Sequence, residues 1–107
     1  MELHYFRDPR GRSPLFEWLE DLKDRKARTI IEVRIDRLSF GNFGDCRSLG
    51  HGLMELRIHF GPGYRIYFAR RGEVIVLLLC GGEKGSQKSD LKKASTYWQA
   101  YREANNV

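Results

Sequence analysis

The chain has 107 residues, of which 41% are hydrophobic and 31% charged, a balance typical of one soluble globular domain spanning residues 1–107. This composition excludes an intrinsically disordered chain, and no apolar run approaches the roughly 18 residues of a membrane span. The net charge of +5 favours a polyanionic partner such as a nucleic acid.

The first half of the chain predicts one strand and two helices. Residues 1–6 form a short strand, and Ser13 and Pro14 then give a capping hydroxyl and a first-turn proline. Asp24 is placed to cap a second helix, which residues 40–44 end with two glycines. Apolar residues recur at helical spacing in both segments: Leu15, Trp18, Leu19 and Leu22 in the first, and Ala27, Ile30, Ile31, Ile35 and Leu38 in the second.

Three strands are predicted between residues 53 and 80. In residues 53–60 the even positions are apolar, whereas Glu55, Arg57 and His59 share the opposite face. Residues 64–68 alternate in the same way, with Arg65 and Tyr67 on the polar face. Residues 74–80 have no polar position, as expected of a strand that is buried on both faces.

A last helix is expected to start at Ser86 or Ser89, after a loop at Gly81 and Gly82. Its apolar face would carry Leu91, Ala94, Tyr97 or Trp98, and Tyr101. The element order is then β-α-α-β-β-β-α. We therefore predict an α+β fold with a small, mostly antiparallel sheet of about four strands and helices packed on one side of it.

Two further features bear on location and redox chemistry. The first six residues lack the basic start and apolar core of a secretory signal, so a cytoplasmic protein is expected. Cys46 and Cys80 are too few and too far apart in sequence for a disulfide framework or a zinc site. We expect plain thiols, no metal and no cofactor.

The second half of the chain also carries three motifs that resemble one family. They are Leu49-Gly50-x-Gly52-Leu53-x-Glu55-Leu56-Arg57, Gly63-Tyr64-Arg65-x-Tyr67-Phe68 and Leu77-Leu78-x-x-Gly81-Gly82-x-Lys84-x-x-Gln87-x-x-Asp90-Leu91. With the element order, these motifs resemble the RelE/ParE superfamily of bacterial toxins, and within it the HigB-like, phage-related addiction module killer proteins.

The resemblance implies a RelE-like fold and a type II toxin that is held inactive by a helix-turn-helix, HigA-like antitoxin. In the RelE and HigB branches such toxins are endoribonucleases that cut mRNA in the ribosomal A site. The ParE branch of the same fold poisons DNA gyrase instead. A third hypothesis is that the protein is a non-catalytic basic module whose only partner is the antitoxin.

The chemistry of the residues agrees with the nuclease branch. Metal-free RNA cleavage needs a base for the 2′-hydroxyl, cations for the phosphorane and an acid for the leaving 5′-oxygen. Arg57, Arg65 and Lys84 are predicted to surround one phosphate. Histidine is the side chain best suited to proton transfer near neutral pH, so His59 is predicted to join them, although the identity of the base stays open between this histidine and a lysine.

The resemblance also implies individual roles. Arg65 matches the arginine that binds the scissile phosphate in RelE, Arg57 matches a strand lysine, and Lys84 takes the place of an arginine. Glu55 departs from the family pattern, which has a lysine there. The expected RNA contacts are Tyr67 by stacking, and Gln87, Lys88 and Lys92 at the start of the last helix.

The residues on this face of the sheet also have two simpler interpretations, in which they have no catalytic role. Glu55 and Arg57 also fit a cross-strand charge pair on a solvated sheet, and His59 also fits an ordinary surface histidine.

Overall fold

The computed structural model describes residues 1–107 and folds them around one sheet of five strands. The strands are β1 (Glu2–Tyr5), β2 (Cys46–Gly50), β3 (Leu53–Ile58), β4 (Tyr64–Arg71) and β5 (Ile75–Glu83), and the helices are α1 (Pro14–Asp21), α2 (Arg25–Leu38) and α3 (Gln87–Asn105). A 3₁₀ turn, Lys84–Ser86, joins β5 to α3. The predicted α+β class is confirmed.

The strand order in the sheet is β1-β5-β4-β3-β2. β1 runs parallel to β5, and every other neighbouring pair is antiparallel. β5 therefore has a strand on each side, as its fully apolar sequence predicts. None of the helices combines the length and the apolar character needed to cross a membrane.

The two N-terminal helices begin where the capping signals predict. The side chain of Ser13 accepts a hydrogen bond from the backbone N–H of Phe16 at 3.2 Å. Asp24 accepts from the backbone N–H groups of Lys26 and Ala27, each at 3.1 Å. Each cap satisfies donors that a helix end leaves without partners, which stabilises a helix by about 1 kcal/mol.

Helices cover both faces of the sheet, so the expectation of helices on one side is wrong. α1 and α2 pack on the face that presents Leu56 and Leu78. α3 packs on the opposite face, where Ala94 and Trp98 contribute to the same cluster as Leu79. The cause lies in β5, because a strand without polar positions needs an apolar layer on each side.

Strand β2 is one strand more than the sequence predicts. It pairs antiparallel with β3 and shifts register between Ser48 and Gly50. Its two apolar residues, Cys46 and Leu49, are only half-buried. A short, polar edge strand gives no clear two-residue alternation, and its sequence therefore does not distinguish it from a loop.

Gly81 and Gly82 lie within β5, where the sequence predicts a loop. A Cβ at Gly81 would lie 2.8 Å from the Trp18 ring of α1, and a Cβ at Gly82 would overlap the Asp90 carboxylate of α3. The two glycines thus let a helix approach β5 closely from each face.

Candidate functional site

A small depression opens at the end of the sheet where β3, β4 and β5 meet the β3–β4 hairpin turn. Its volume is about 60 Å³, and its lining residues are Arg57, Ile58, His59, Gly63, Tyr64, Arg65 and Lys84. About 10–15 Å³ of such space holds one water molecule, so this depression has room for a group of a few heavy atoms such as a phosphate. The structure thus brings together Arg57, Arg65, Lys84 and His59.

Strand pairing sets the position of the cations. Arg57 on β3 is the cross-strand partner of Arg65 on β4, so both side chains leave the sheet on the same face. The backbone N–H of Lys84 donates to the carbonyl of Gly63 at 3.0 Å, which ties the start of the 3₁₀ turn to the hairpin. Like charges directly opposite each other repel, and two carboxylates stand beside them to offset this repulsion.

The first carboxylate belongs to Asp45, immediately before β2. Its Oδ1 accepts from Nε and Nη2 of Arg57 at 3.2 and 2.8 Å. The backbone N–H of Arg57 also donates to the carbonyl of Asp45 at 2.9 Å. Arg57 is therefore held in place, and part of its charge is neutralised before any substrate arrives.

The other oxygen of Asp45 faces His59. Oδ2 lies 2.5 Å from Nε2 of the imidazole. The hydrogen bond with His59, followed by that with Arg57, holds the pKa of Asp45 below its ordinary value. The side chain of His59 is 75% exposed, so a substrate can reach it.

The second carboxylate belongs to Glu55, which is only 1% exposed. Its Oε1 lies 3.6 Å from Nε of Arg65 and 3.8 Å from Nη2 of Arg47, both longer than a hydrogen bond. Oε2 of Glu55 and both Nε and Nη1 of Arg65 are buried without a hydrogen-bond partner. Arg65 is thus largely desolvated and loosely paired, and such a guanidinium interacts strongly with an added anion.

Comparison with known proteins places this sequence in a family. Residues 17–102, which include every residue of the depression, match the family described as Phage derived protein Gp49-like (DUF891). The chain belongs to the Gp49-like family. A protein of Haemophilus influenzae described as uncharacterized is similar to it, with 51% identity over 77 residues, which is 72% of this chain and 78% of that protein.

Membership of the Gp49-like family agrees with part of the resemblance seen in the sequence. It supports a phage-derived protein of the addiction-module, or toxin–antitoxin, type. The description of the family names no reaction, so the chemistry of this Gp49-like protein has to be argued from its own residues.

Tyr67 does not lie at the surface of this Gp49-like protein. The sequence predicts that its ring stacks on RNA bases, but the ring is 0% exposed and belongs to the cluster under α3. Burial, and then the negative charge of Glu55, raises the pKa of its hydroxyl. The alternation with Ile66 and Phe68 correctly gives the face, and α3 covers that face at this position.

The other predicted RNA contacts lie outside the depression. Gln87, Lys88 and Lys92 are in the first two turns of α3. Gln87 is half-buried, whereas Lys88 and Lys92 are exposed and, four residues apart, share one side of the helix. These three residues do not line the depression, and their contact with RNA stays a prediction.

Sequence reasoning missed Asp45 and Arg47. Both depend on β2, which brings Arg47 opposite Glu55 and sets Asp45 beside Arg57. One signal was available, because a strand with Glu55, Arg57 and His59 on one face needs counter-charges from a neighbouring strand. The cations of the site still outnumber these two carboxylates.

A larger hollow of about 460 Å³ lies between β1, the segment after it and the C-terminal half of α3. Its lining is mostly apolar, and its one arginine, Arg7, donates to the carbonyl of Gly11. No group of three or more His, Cys, Asp or Glu side chains is arranged to hold a metal ion. We place the candidate site in the smaller depression, because that is where the cations converge.

Proposed function

We propose that this protein is the toxin of a type II toxin–antitoxin system, a HigB-like member of the RelE/ParE superfamily that cleaves mRNA on the ribosome. The observation that carries this proposal is the convergence of Arg57, Arg65 and Lys84 on one depression of phosphate size. The match to a phage-derived family agrees with it.

In this mechanism Arg65 binds the scissile phosphate. Its guanidinium brings a full positive charge to the phosphate oxygens, and little water competes because the side chain is 16% exposed. Charge accumulates on those oxygens as the phosphorane forms, so this contact strengthens in the transition state. Lys84 and Arg57 add positive charge from the two sides of the depression.

His59 is the residue that transfers a proton in this mechanism, since imidazoles serve this role in many enzymes. It is the one imidazole in the depression, and Tyr64 beside it is 4% exposed. Because the depression offers so few acid and base groups, the ribosome, which positions the mRNA, has to align the 2′-hydroxyl. We therefore expect naked RNA to be cut poorly.

The partner proposed for this toxin is a helix-turn-helix, HigA-like antitoxin, and the working compartment is the cytoplasm, where ribosomes are found. A basic surface speeds association with an acidic inhibitor. Co-expression with the product of an adjacent helix-turn-helix gene is expected to rescue growth. Hydrogen exchange in the complex should show protection on α2 or at the depression; protection of neither would contradict the two-component proposal.

The experiment that tests the function separates the three candidate activities. The wild-type protein is added to a translating extract, and 5′ ends are mapped by primer extension, beside an equal amount of ribosome-free RNA. We expect cuts within codons at the A site and far fewer on free RNA. Gyrase-linked DNA breaks with intact mRNA would indicate the ParE-type activity, and neither product would indicate a non-catalytic module.

A further inference from the structure

The carboxylate of Asp45 joins two side chains that serve the proposed cleavage in different ways. Oδ1 accepts from Arg57 at 3.2 and 2.8 Å, and Oδ2 lies 2.5 Å from Nε2 of His59. The backbone bond from Arg57 to the carbonyl of Asp45, at 2.9 Å, holds the segment that carries the carboxylate. One residue thus sets the position of both partners.

We propose that Asp45 is a positioning residue that orients His59 as the general acid of RNA cleavage and holds Arg57 beside it. This inference rests on the proposed nuclease function and adds to it the group that protonates the leaving oxygen.

The hydrogen bonds that the two ring nitrogens of His59 can make support this assignment. A protonated histidine donates from both ring nitrogens. Nε2 is directed to Asp45, so Nδ1 is the nitrogen left for a substrate. In serine hydrolases a carboxylate orients a catalytic histidine through the other ring nitrogen, Nδ1, and stays ionised while it does so. The low pKa of Asp45 is consistent with a carboxylate that remains ionised.

The chemical step balances with these groups. The 2′-oxygen bonds to phosphorus while water accepts the 2′-hydroxyl proton. The P–O5′ bond breaks with its electron pair on O5′, and the proton on Nδ1 of His59 passes to O5′. The products are a 2′,3′-cyclic phosphate and a 5′-hydroxyl. His59 then regains a proton from solvent.

Charge around the imidazole explains why a carboxylate is needed there. The residues that share the depression with His59 are Arg57 on β3, Arg65 and Tyr64 on β4, and Lys84 after β5. The three cations disfavour a protonated imidazole. Asp45 is the anion in hydrogen-bond contact with the ring, so it favours the acid form that the leaving oxygen requires.

The test compares the full-length wild-type protein with Asp45→Asn, Asp45→Glu and the control Asp21→Asn. Asp21 is an exposed residue at the end of α1, and its substitution removes the same charge from a residue that does not line the depression. One readout is the pH dependence of mRNA cleavage in a translating extract. The other is the NMR titration midpoint of the His59 imidazole in the isolated protein, which needs no activity.

In Asp45→Asn we expect the His59 midpoint to move to lower pH, because an opposite charge near the ring is lost. The alkaline limb of the cleavage profile should move to lower pH by a similar amount, since less of the acid form remains. Asp45→Glu should bring both the His59 midpoint and the alkaline limb most of the way back to their wild-type positions. Asp21→Asn should match the wild type in both measurements.

An unchanged His59 midpoint in Asp45→Asn, or a cleavage profile that does not follow it, would overturn this inference while leaving wild-type cleavage intact. His59→Gln provides a second arm that does not depend on the folding of an Asp45 variant. Cleavage that keeps the wild-type alkaline limb in His59→Gln would overturn the acid assignment. A wild type that cuts no mRNA would instead overturn the proposed function, and the acid role with it.

Discussion

Arg57 and Arg65 stand opposite each other on β3 and β4, yet each faces a different carboxylate. Arg57 donates two hydrogen bonds to Asp45, the shorter at 2.8 Å, whereas Arg65 lies 3.6 Å from Glu55. The charge of Arg57 is therefore more completely neutralised than that of Arg65. The two arginines are expected to contribute unequally to the site.

This asymmetry predicts the ranking of two substitutions. Arg65→Ala should slow ribosome-dependent mRNA cleavage by about 10²–10³-fold, the loss typical of one preorganised contact to a developing oxyanion. Arg57→Ala should slow it by about tenfold or less. The measurement is the initial rate of cleavage in a reconstituted translation system, with Arg10→Ala as a remote control. A larger loss for Arg57→Ala would contradict the ranking.

A second prediction concerns stability. Glu55 is 1% exposed, so Arg65→Ala leaves its carboxylate with Arg47 alone, at 3.8 Å. Urea unfolding should show a loss of about 2–3 kcal/mol, because an undercompensated buried charge is costly. Glu55→Gln in the Arg65→Ala background should recover part of that loss. If the free-energy changes of Arg65→Ala and Glu55→Gln simply add in the double variant, Arg65 and Glu55 do not interact.

The predictable part of the fold is the part that local chemistry decides. Ser13 and Asp24 cap α1 and α2 through their own side chains, and the apolar run of β5 requires neighbours on every side. The convergence of Arg57 and Arg65 also follows from side-chain alternation on two strands joined by a short turn.

The remainder depends on tertiary contacts that a single sequence does not display. Tyr67 shares its face with Arg65, and only the path of α3 decides that one is core and the other lines the depression. Asp45 lies 14 residues from His59 in the chain and reaches it because β2 pairs with β3. Gly81 is indistinguishable from a loop glycine until Trp18 packs against it.

The close approach of α1 to β5 gives a third prediction. Gly81→Ala places a Cβ 2.8 Å from the Trp18 ring and 2.9 Å from the Ile66 side chain. Overpacking of this kind costs about 1–3 kcal/mol, so the urea midpoint should fall. Gly85→Ala is the matched control, because no atom lies within 4 Å of a Cβ there. Equal stability of the two variants would contradict this packing.

A fourth prediction concerns alkaline pH. Burial, and then the charge of Asp90, raises the pKa of the Cys80 thiol from 9.0 to about 12, so the unfolded chain releases this proton first. The contribution to stability is complete below pH 9 and is lost as the pH rises toward 12. At pH 10 the loss is on the order of 1 kcal/mol.

Urea unfolding of the wild type and of Cys80→Ala at pH 8 and pH 10 measures this contribution. The wild type should lose more stability over that interval than the variant, whose other titrating groups are unchanged. The same loss in both proteins would show that the thiol is not protected from ionisation in the folded state.

The proposal that cations in the depression bind the scissile phosphate is tested by primer extension on mRNA in a translating extract that receives equal amounts of wild type, Lys84→Ala or Lys23→Ala. Lys84 lines the depression and Lys23 lies in the segment between α1 and α2, and both are exposed, so neither change should unfold the protein. We expect A-site cuts with the wild type and Lys23→Ala, and at least tenfold fewer with Lys84→Ala, because one phosphate contact is missing. Undiminished cutting by Lys84→Ala, or no cutting by the wild type, would contradict this proposal.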